Sequence, residues 1–244
     1  MGTLYVDTLE PEGATTTLTV GETGQNTVVG GNTLKLNTLK DAGGNTLFTS
    51  DGSGNLSSVN SGFGGSMVLI STVTASNSAS LSFTSNIDST YKEYLFKWYY
   101  IQPATNFTNF TFQVSTDGGS NYNTTVTSTF FNSRHNQANT DAALSYEGNM
   151  DQGQGTAYQI CSIFTGGDAD ECTNGVIHLF NPSSTTYVKQ WYCRTISTNG
   201  DTSPATMDGY PAGYFNTTSA INAISFKYAS GNITAGKIKM YGIK

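Results

Sequence analysis

The chain has 244 residues, a formal net charge of -6 and only 11% charged residues, against roughly 25% in ordinary soluble domains. Just two residues, Arg134 and Arg194, are arginines, so there is no basic cluster to neutralise a phosphate backbone, and a nucleic-acid partner is excluded. No stretch approaches the roughly 20 consecutive apolar residues of a membrane helix, so membrane insertion is not expected. Thr, Ser, Asn and Gly take the place of charge. Thr suits a pleated, half-exposed surface, while Asn and Gly suit turns of positive φ, and an all-β chain follows.

In chain order, the opening MGTLYVDTLEPEG lacks the basic start and apolar core of a secretion signal, and synthesis in a cytoplasm is expected. Five short β segments come next: Thr17–Val20, Asn26–Val29, Thr33–Leu39, Asn45–Ser50 and Asn55–Val59. The pentapeptide GGNTL occurs twice among them, at Gly30–Leu34 and Gly43–Leu47. Each copy brings one leucine among small and polar neighbours. A region this poor in apolar residues buries little by itself. A thin stripe of Leu34, Leu36, Leu39 and Leu47 makes physical sense as a core shared between identical chains, and it predicts a homotrimeric β-stalk, with a flexible Gly/Thr/Asn linker as the alternative.

Composition changes near residue 65. The first 65 residues hold three aromatics (Tyr5, Phe48 and Phe63) and the remainder holds the other 26. The glycine-rich Ser58–Ser66 is therefore taken as a boundary between a stalk, residues 1–65, and a head domain, residues 66–244. Nine strands are predicted in the head: Leu81–Phe83, Glu93–Ile101, Phe110–Val114, Thr124–Phe131, Thr156–Phe164, Gly175–Asn181, Thr186–Ile196, Ile221–Tyr228 and Gly236–Ile243. Period-two alternation is plain in the last two. Asp117-Gly118 marks a hairpin turn. This number of strands points to a jelly-roll-like β-sandwich. Two longer polar stretches, Phe130–Gly155 and Ser197–Asn216, are expected as loops, the first with a single helical turn near Asp141–Tyr146.

Catalytic candidates are few. His135 and His178 are the only histidines, and no GxSxG, HExxH or phosphate-loop motif is present. The loop carboxylates Asp151, Asp168, Asp170, Glu171, Asp201 and Asp208 have no spacing that selects a hydrolytic pair, so enzymatic activity is not expected. Asp168, Asp170 and Glu171 form the densest acidic loop and could offer oxygen ligands to Ca2+, with a solvated turn as the alternative. Cys161, Cys172 and Cys193 form no CxxC pair and are expected as free thiols. Binding candidates are more numerous. Trp191, Tyr210, Tyr214, Tyr146 and His135 lie in or beside the two long stretches, among Asn, Asp and Gln. Rings that stack on the apolar face of a sugar, beside amides that read its hydroxyls, are the chemistry of glycan recognition.

The opening TLYVDTLEPEGATTTLTVGETG, the segment YLFKWYYIQPATNFTNFTFQVSTDGGSNY and the ending GKIKMYGI resemble tail-fibre and appendage proteins of marine and cyanobacterial phages. The resemblance implies a homotrimer in the virion, an N-terminal anchor to other virion proteins, and an outward β head that attaches to a host-surface glycan. It offers no catalytic residue. A capsid decoration or head-fibre protein, gripping the major capsid protein through its N-terminal strands, is the alternative.

Overall fold

The computed structural model describes residues 36–57, 59–60 and 65–244. Leu34, the first GGNTL copy and the strands expected over 17–20 and 26–29 lie outside them. Among the described residues there are fifteen strands and no helix. The chain divides into two compact units, Met1–Phe63 and Gly64–Lys244.

In the first unit, β1 (Thr38–Lys40), β2 (Thr46–Ser50) and β3 (Leu56–Ser57) form an antiparallel meander. The second GGNTL copy supplies its first turn. Asp41 Oδ1 accepts the amides of Gly43 and Asn45, at 2.9 and 2.8 Å, and Asn45 Nδ2 donates back to Asp41 Oδ2 at 3.0 Å. Gly44, at φ 81°, takes the left-handed position that closes the loop. Asp51 and Asn55 repeat the arrangement in the next turn, and Asp117 and Asn121 build a related turn in the second unit. The leucines do not line up as one stripe. Leu39 pairs across the strands with Phe48, while the register shifts beside Leu47, which has no partner on β1. Leu56, opposite Ser50, falls on the Phe48 face. Leu36 precedes β1 and is exposed.

The second unit is a sandwich of two antiparallel sheets. The larger runs, edge to edge, β4 (Met67–Thr74), β15 (Ile233–Ile243), β6 (Glu93–Pro103), β11 (Thr173–Phe180), β12 (Lys189–Thr198), β13 (Ala205–Phe215), β8 (Val126–Asn136) and β9 (Ala142–Tyr146). The smaller runs β10 (Gln159–Thr165), β7 (Thr108–Ser115), β14 (Ala223–Tyr228) and β5 (Leu81–Phe83). One core fills the space between them. Phe96, Trp98, Trp191 and Phe215 of the larger sheet meet Phe110, Phe112 and Phe226 of the smaller in edge-on and tilted pairs. Each such ring contributes about 1.5–3 kcal/mol by burial and about 0.5–1.5 kcal/mol more by pairing. In β15, Ile238 and Met240 are fully buried while Lys237, Lys239 and Tyr241 are not, as the alternation of that segment requires.

Three strands differ from the sequence expectation. Ala142–Tyr146 is an edge strand paired with β8, not a helical turn: cross-strand bonding overrides a weak local preference. Ala205–Phe215 is a strand, not part of a loop. Its inward positions include Ala205, Gly209 and Pro211, which hide its period, and its glycines and proline read as loop punctuation. Met67–Thr74, not anticipated, pairs along β15 at the opposite edge.

A candidate saccharide cleft on the widened sheet

β10, the edge of the smaller sheet, packs over β12 and β13. A second small core lies beneath this overlap: Phe130, Ile163, Ala205 and Met207, with Met150, Ile160 and Phe164 against them. Past that core, the inner face of β13 and β8 opens into a cleft of about 390 Å³. Alternation places Asn132, Arg134 and Asn136 of β8 on this face, the same side as buried Phe130. Met207, opposite Arg134, and Ala205, opposite Asn136, form its apolar part. Asp141 and Glu147, flanking β9, close one side; Asn199, Asp201 and Ser203, from the β12–β13 connection, close another.

Two phenylalanines make the remaining wall. Phe107, in the β6–β7 loop, stacks on Phe164 of β10, with centroids 4.6 Å apart and an interplanar angle of 14°. Both sit at positive φ, 57° and 54°, a conformation that strains a bulky L-residue. Phe107 is 47% exposed, so the stacked pair leaves aromatic surface open at the cleft.

The polar lining is only partly self-satisfied. Arg134 grips Asp141 through Nε (2.7 Å) and Nη2 (3.3 Å). This pairing holds the Asp141 carboxyl below its ordinary range and raises Arg134 above its own. Asn136 is engaged at both ends of its amide, accepting from the backbone amides of Thr140 and Asp141 and donating to the Thr140 hydroxyl. Asn132 is different. It is 1% exposed, its Oδ1 faces the Ser145 hydroxyl at 2.9 Å, and its Nδ2 has no partner. Ser145 also donates to Glu147 at 2.6 Å, and one hydroxyl carries one proton. Turning the Asn132 amide over would let Nδ2 donate to Ser145 instead. As oriented, Nδ2 is a buried donor that a group from outside the chain, such as a ligand or a water, would satisfy.

The five aromatic and imidazole residues picked out from the sequence do not line this cleft. Trp191 is a core residue, 2% exposed, edge-on to Phe112 at 5.0 Å. Tyr146, Tyr210, Tyr214 and His135 lie on the outer face of the larger sheet. There Tyr210 stacks on Phe131 (4.9 Å, 6°), lies beneath the Arg194 guanidinium (5.1 Å) and donates to Asp208. Tyr146 bonds the Asp151 carboxylate. His178 stacks on Tyr192 at 4.4 Å and shares a 2.5 Å bond with Glu93.

The two long stretches that held four of those five residues nonetheless supply most of the cleft, because β13 pairs with β8 along its whole length. Phe107, Asn132, Arg134 and Glu147 were missed. Positive φ at Phe107 and Phe164 leaves no sequence signature, and the inward alternation Phe130, Asn132, Arg134, Asn136 was hidden in a stretch read as loop.

The acidic loop does not form a cation cage. Glu171 is 5% exposed, and its carboxylate turns inward to accept the Asp168 amide at 2.9 Å, while Asp168 and Asp170 are exposed. Among the described residues no three His, Cys, Asp or Glu side chains converge as metal ligands. The Glu171 carboxylate, packed over Gly166, closes this turn. The three cysteines are free. Compared with protein-family models, curated proteins and solved structures, the chain matches none.

Proposed function

We propose that this chain is a phage virion appendage protein whose head domain attaches to a host-surface glycan through the cleft between β8, β13 and the Phe107 loop. The virion assignment rests on the resemblance of the N-terminal, middle and C-terminal segments. The attachment reading rests on one observation above the others: a 390 Å³ cleft that combines an exposed, stacked phenylalanine wall with a buried, unpartnered amide. A ring to stack on and amides to read hydroxyls are what a sugar needs.

The strand order supports a jelly-roll reading of the head. Count only β4, β5, β6, β7, β10, β11, β14 and β15 as first to eighth. The sheets then run first-eighth-third-sixth and second-seventh-fourth-fifth, the order of a jelly roll. The remaining strands are two insertions, β8–β9 and β12–β13, that widen one sheet and supply most of the cleft. Function grafted on a common framework by added elements is the usual way such folds diversify.

The test is binding of the full chain to an array of bacterial surface polysaccharides, repeated with Phe107→Ala. Binding that falls at least tenfold in the variant supports attachment through the cleft; no binding to any glycan counts against it. Product release from a bound glycan would instead make Glu147 and Asp201 hydrolytic candidates. One feature favours a second reading, capsid decoration: the outer face of the larger sheet exposes Leu69, Leu144, Tyr146, Tyr192 and Ile196, apolar side chains that a docked partner would cover. Locating the chain on tail or capsid in purified virions separates the two.

A further inference from the structure

The charges of the cleft narrow its ligand. Three carboxylates, Asp141, Glu147 and Asp201, face it with one guanidinium, Arg134. The Arg134 charge is spent on Asp141 in a two-point contact. Glu147 attracts Arg134 only at longer range and receives a hydrogen bond from Ser145. Asp201 accepts from the amide and hydroxyl of Thr202. Neither Glu147 nor Asp201 has a base within ion-pair distance among the described residues. The cleft therefore presents two uncompensated negative charges beside an aromatic wall and the unpartnered Asn132 amide.

An acidic sugar placed there meets like charge, and a neutral one leaves both carboxylates without a counter-charge. A sugar with a free ammonium group meets both needs: its ring lies on Phe107 and its charge offsets Glu147 and Asp201. We propose that the cleft takes an unacetylated amino sugar and rejects uronic or otherwise acidic saccharides. This rests on the glycan-attachment reading and specifies the class of ligand for that same cleft.

Calorimetric titration of the full chain at low salt tests it with four oligosaccharides of one length: a glucosamine oligomer, its N-acetylated form, a neutral glucan and a polyuronate. Spermidine serves as an amine without a sugar ring. The expected result is that the glucosamine oligomer binds about tenfold more tightly than the N-acetylated one, with the preference shrinking toward unity near 1 M salt. Glu147→Gln with Asp201→Asn should abolish the preference, and Phe107→Ala should weaken every sugar. Asp201→Asn alone, at an exposed loop position, serves if the double variant does not fold, and should reduce the preference.

If the N-acetylated, neutral or acidic oligomer binds as tightly as the glucosamine one, the amino-sugar assignment is overturned while glycan attachment stands. If none of the four binds while a polysaccharide of the array does, the amino-sugar assignment is overturned and glycan attachment stands; if no array polysaccharide binds either, both fall. If spermidine matches the glucosamine oligomer and Phe107→Ala changes nothing, the cleft is a general cation site and the assignment is again overturned.

Discussion

Asn106 and Gly200 tie two loops together at the edge of the cleft: Asn106 Nδ2 donates to the Gly200 carbonyl at 3.1 Å. The same carboxamide accepts from the Gly167 amide at 2.9 Å and from the amide of Phe107, its own neighbour, at 3.0 Å. One exposed side chain thus joins the β6–β7, β10–β11 and β12–β13 connections and holds the backbone of Phe107. Position 200 has room only for glycine, because a Cβ there would overlap the Asn106 carboxamide.

Gly200→Ala is therefore expected to displace Asn106 and release Phe107. Asn106→Ala should cost about 1–2 kcal/mol, since it removes three hydrogen bonds near solvent. Gly200→Ala should cost about as much or more, because backbone as well as side chain must move. Urea unfolding of both variants measures the loss, and a change below the error of the method in both would refute the clamp. Both variants should also weaken saccharide binding, although neither residue need touch the sugar.

Asp117 gives a pH dependence of known sign. The Ser115 hydroxyl (2.5 Å) and the Asn121 amide groups bond its carboxylate and lower its pKa to about 2, from an ordinary 3.8. A folded-state pKa below the unfolded one means that the unfolded chain takes up protons first as pH falls. The stabilisation is then complete above the ordinary value and is lost as pH drops through 3.8 toward 2. Asp117→Ala should lower the urea midpoint at about pH 5, and the gap to the parent chain should close near pH 2. A gap that stays constant with pH would show that the turn acts without its charge. Asp41 and Asp51 are shifted in the same direction, chiefly by Asn45 and Asn55.

These turns mark how far the sequence was legible. The repeated GGNTL had a local meaning that the spacing of its leucines did not convey. In the second copy, Asn45 closes a loop begun by Asp41, four residues earlier, and the same Asp-to-Asn spacing recurs at 51–55 and 117–121. The first copy has Val28 where that aspartate would stand. The core strands were readable because Phe96, Trp98, Phe110, Phe226 and Ile238 are large apolar residues at alternate positions. The second half of β8, from Asn132 on, β9 and β13 were not, because their inward positions carry Asn132, Arg134, Ser145, Gly209 and Ala205. Those polar and small residues are inward because a cleft, not a core, lies above much of them. The two insertions were recognised as regions of interest by length, but which side chains they turn inward depends on register, and the register of β8 with β13 is set by partners 69 to 89 residues apart in the chain.

The thiols should divide by burial. Cys161 and Cys193 are buried, and burial pushes both pKa values well above the ordinary 9.0; Cys161 also donates to the Phe110 carbonyl at 3.2 Å. Cys172 is partly exposed and raised less, again by burial. Reaction with a disulfide reagent near pH 8 is expected to modify Cys172 alone and slowly, with all three reacting once the chain is unfolded. Raised folded-state values mean stability is intact below the unfolded thiol pKa and falls as pH climbs above about 9. Two or more thiols reacting in the native state would contradict the packing between the sheets.

The N-terminal unit carries the remaining expectation, assembly as a trimer. None of its described residues between 36 and 60 is buried. Leu39 and Leu56 lie on the Phe48 face, and Leu56 is 57% exposed. Three short strands with no buried residue do not form a stable sheet in water on their own. Identical chains meeting along that face would supply the missing burial. Light scattering of the full chain at micromolar concentration should give three times 26.0 kDa, and Leu39→Asp with Leu56→Asp should reduce it to one chain mass while leaving the head domain's melting temperature unchanged. A parent chain that scatters as a monomer refutes the trimer. A variant that stays trimeric moves the interface off this face, and the exposed outer face of the larger sheet, at Leu144 and Ile196, becomes the next place to substitute.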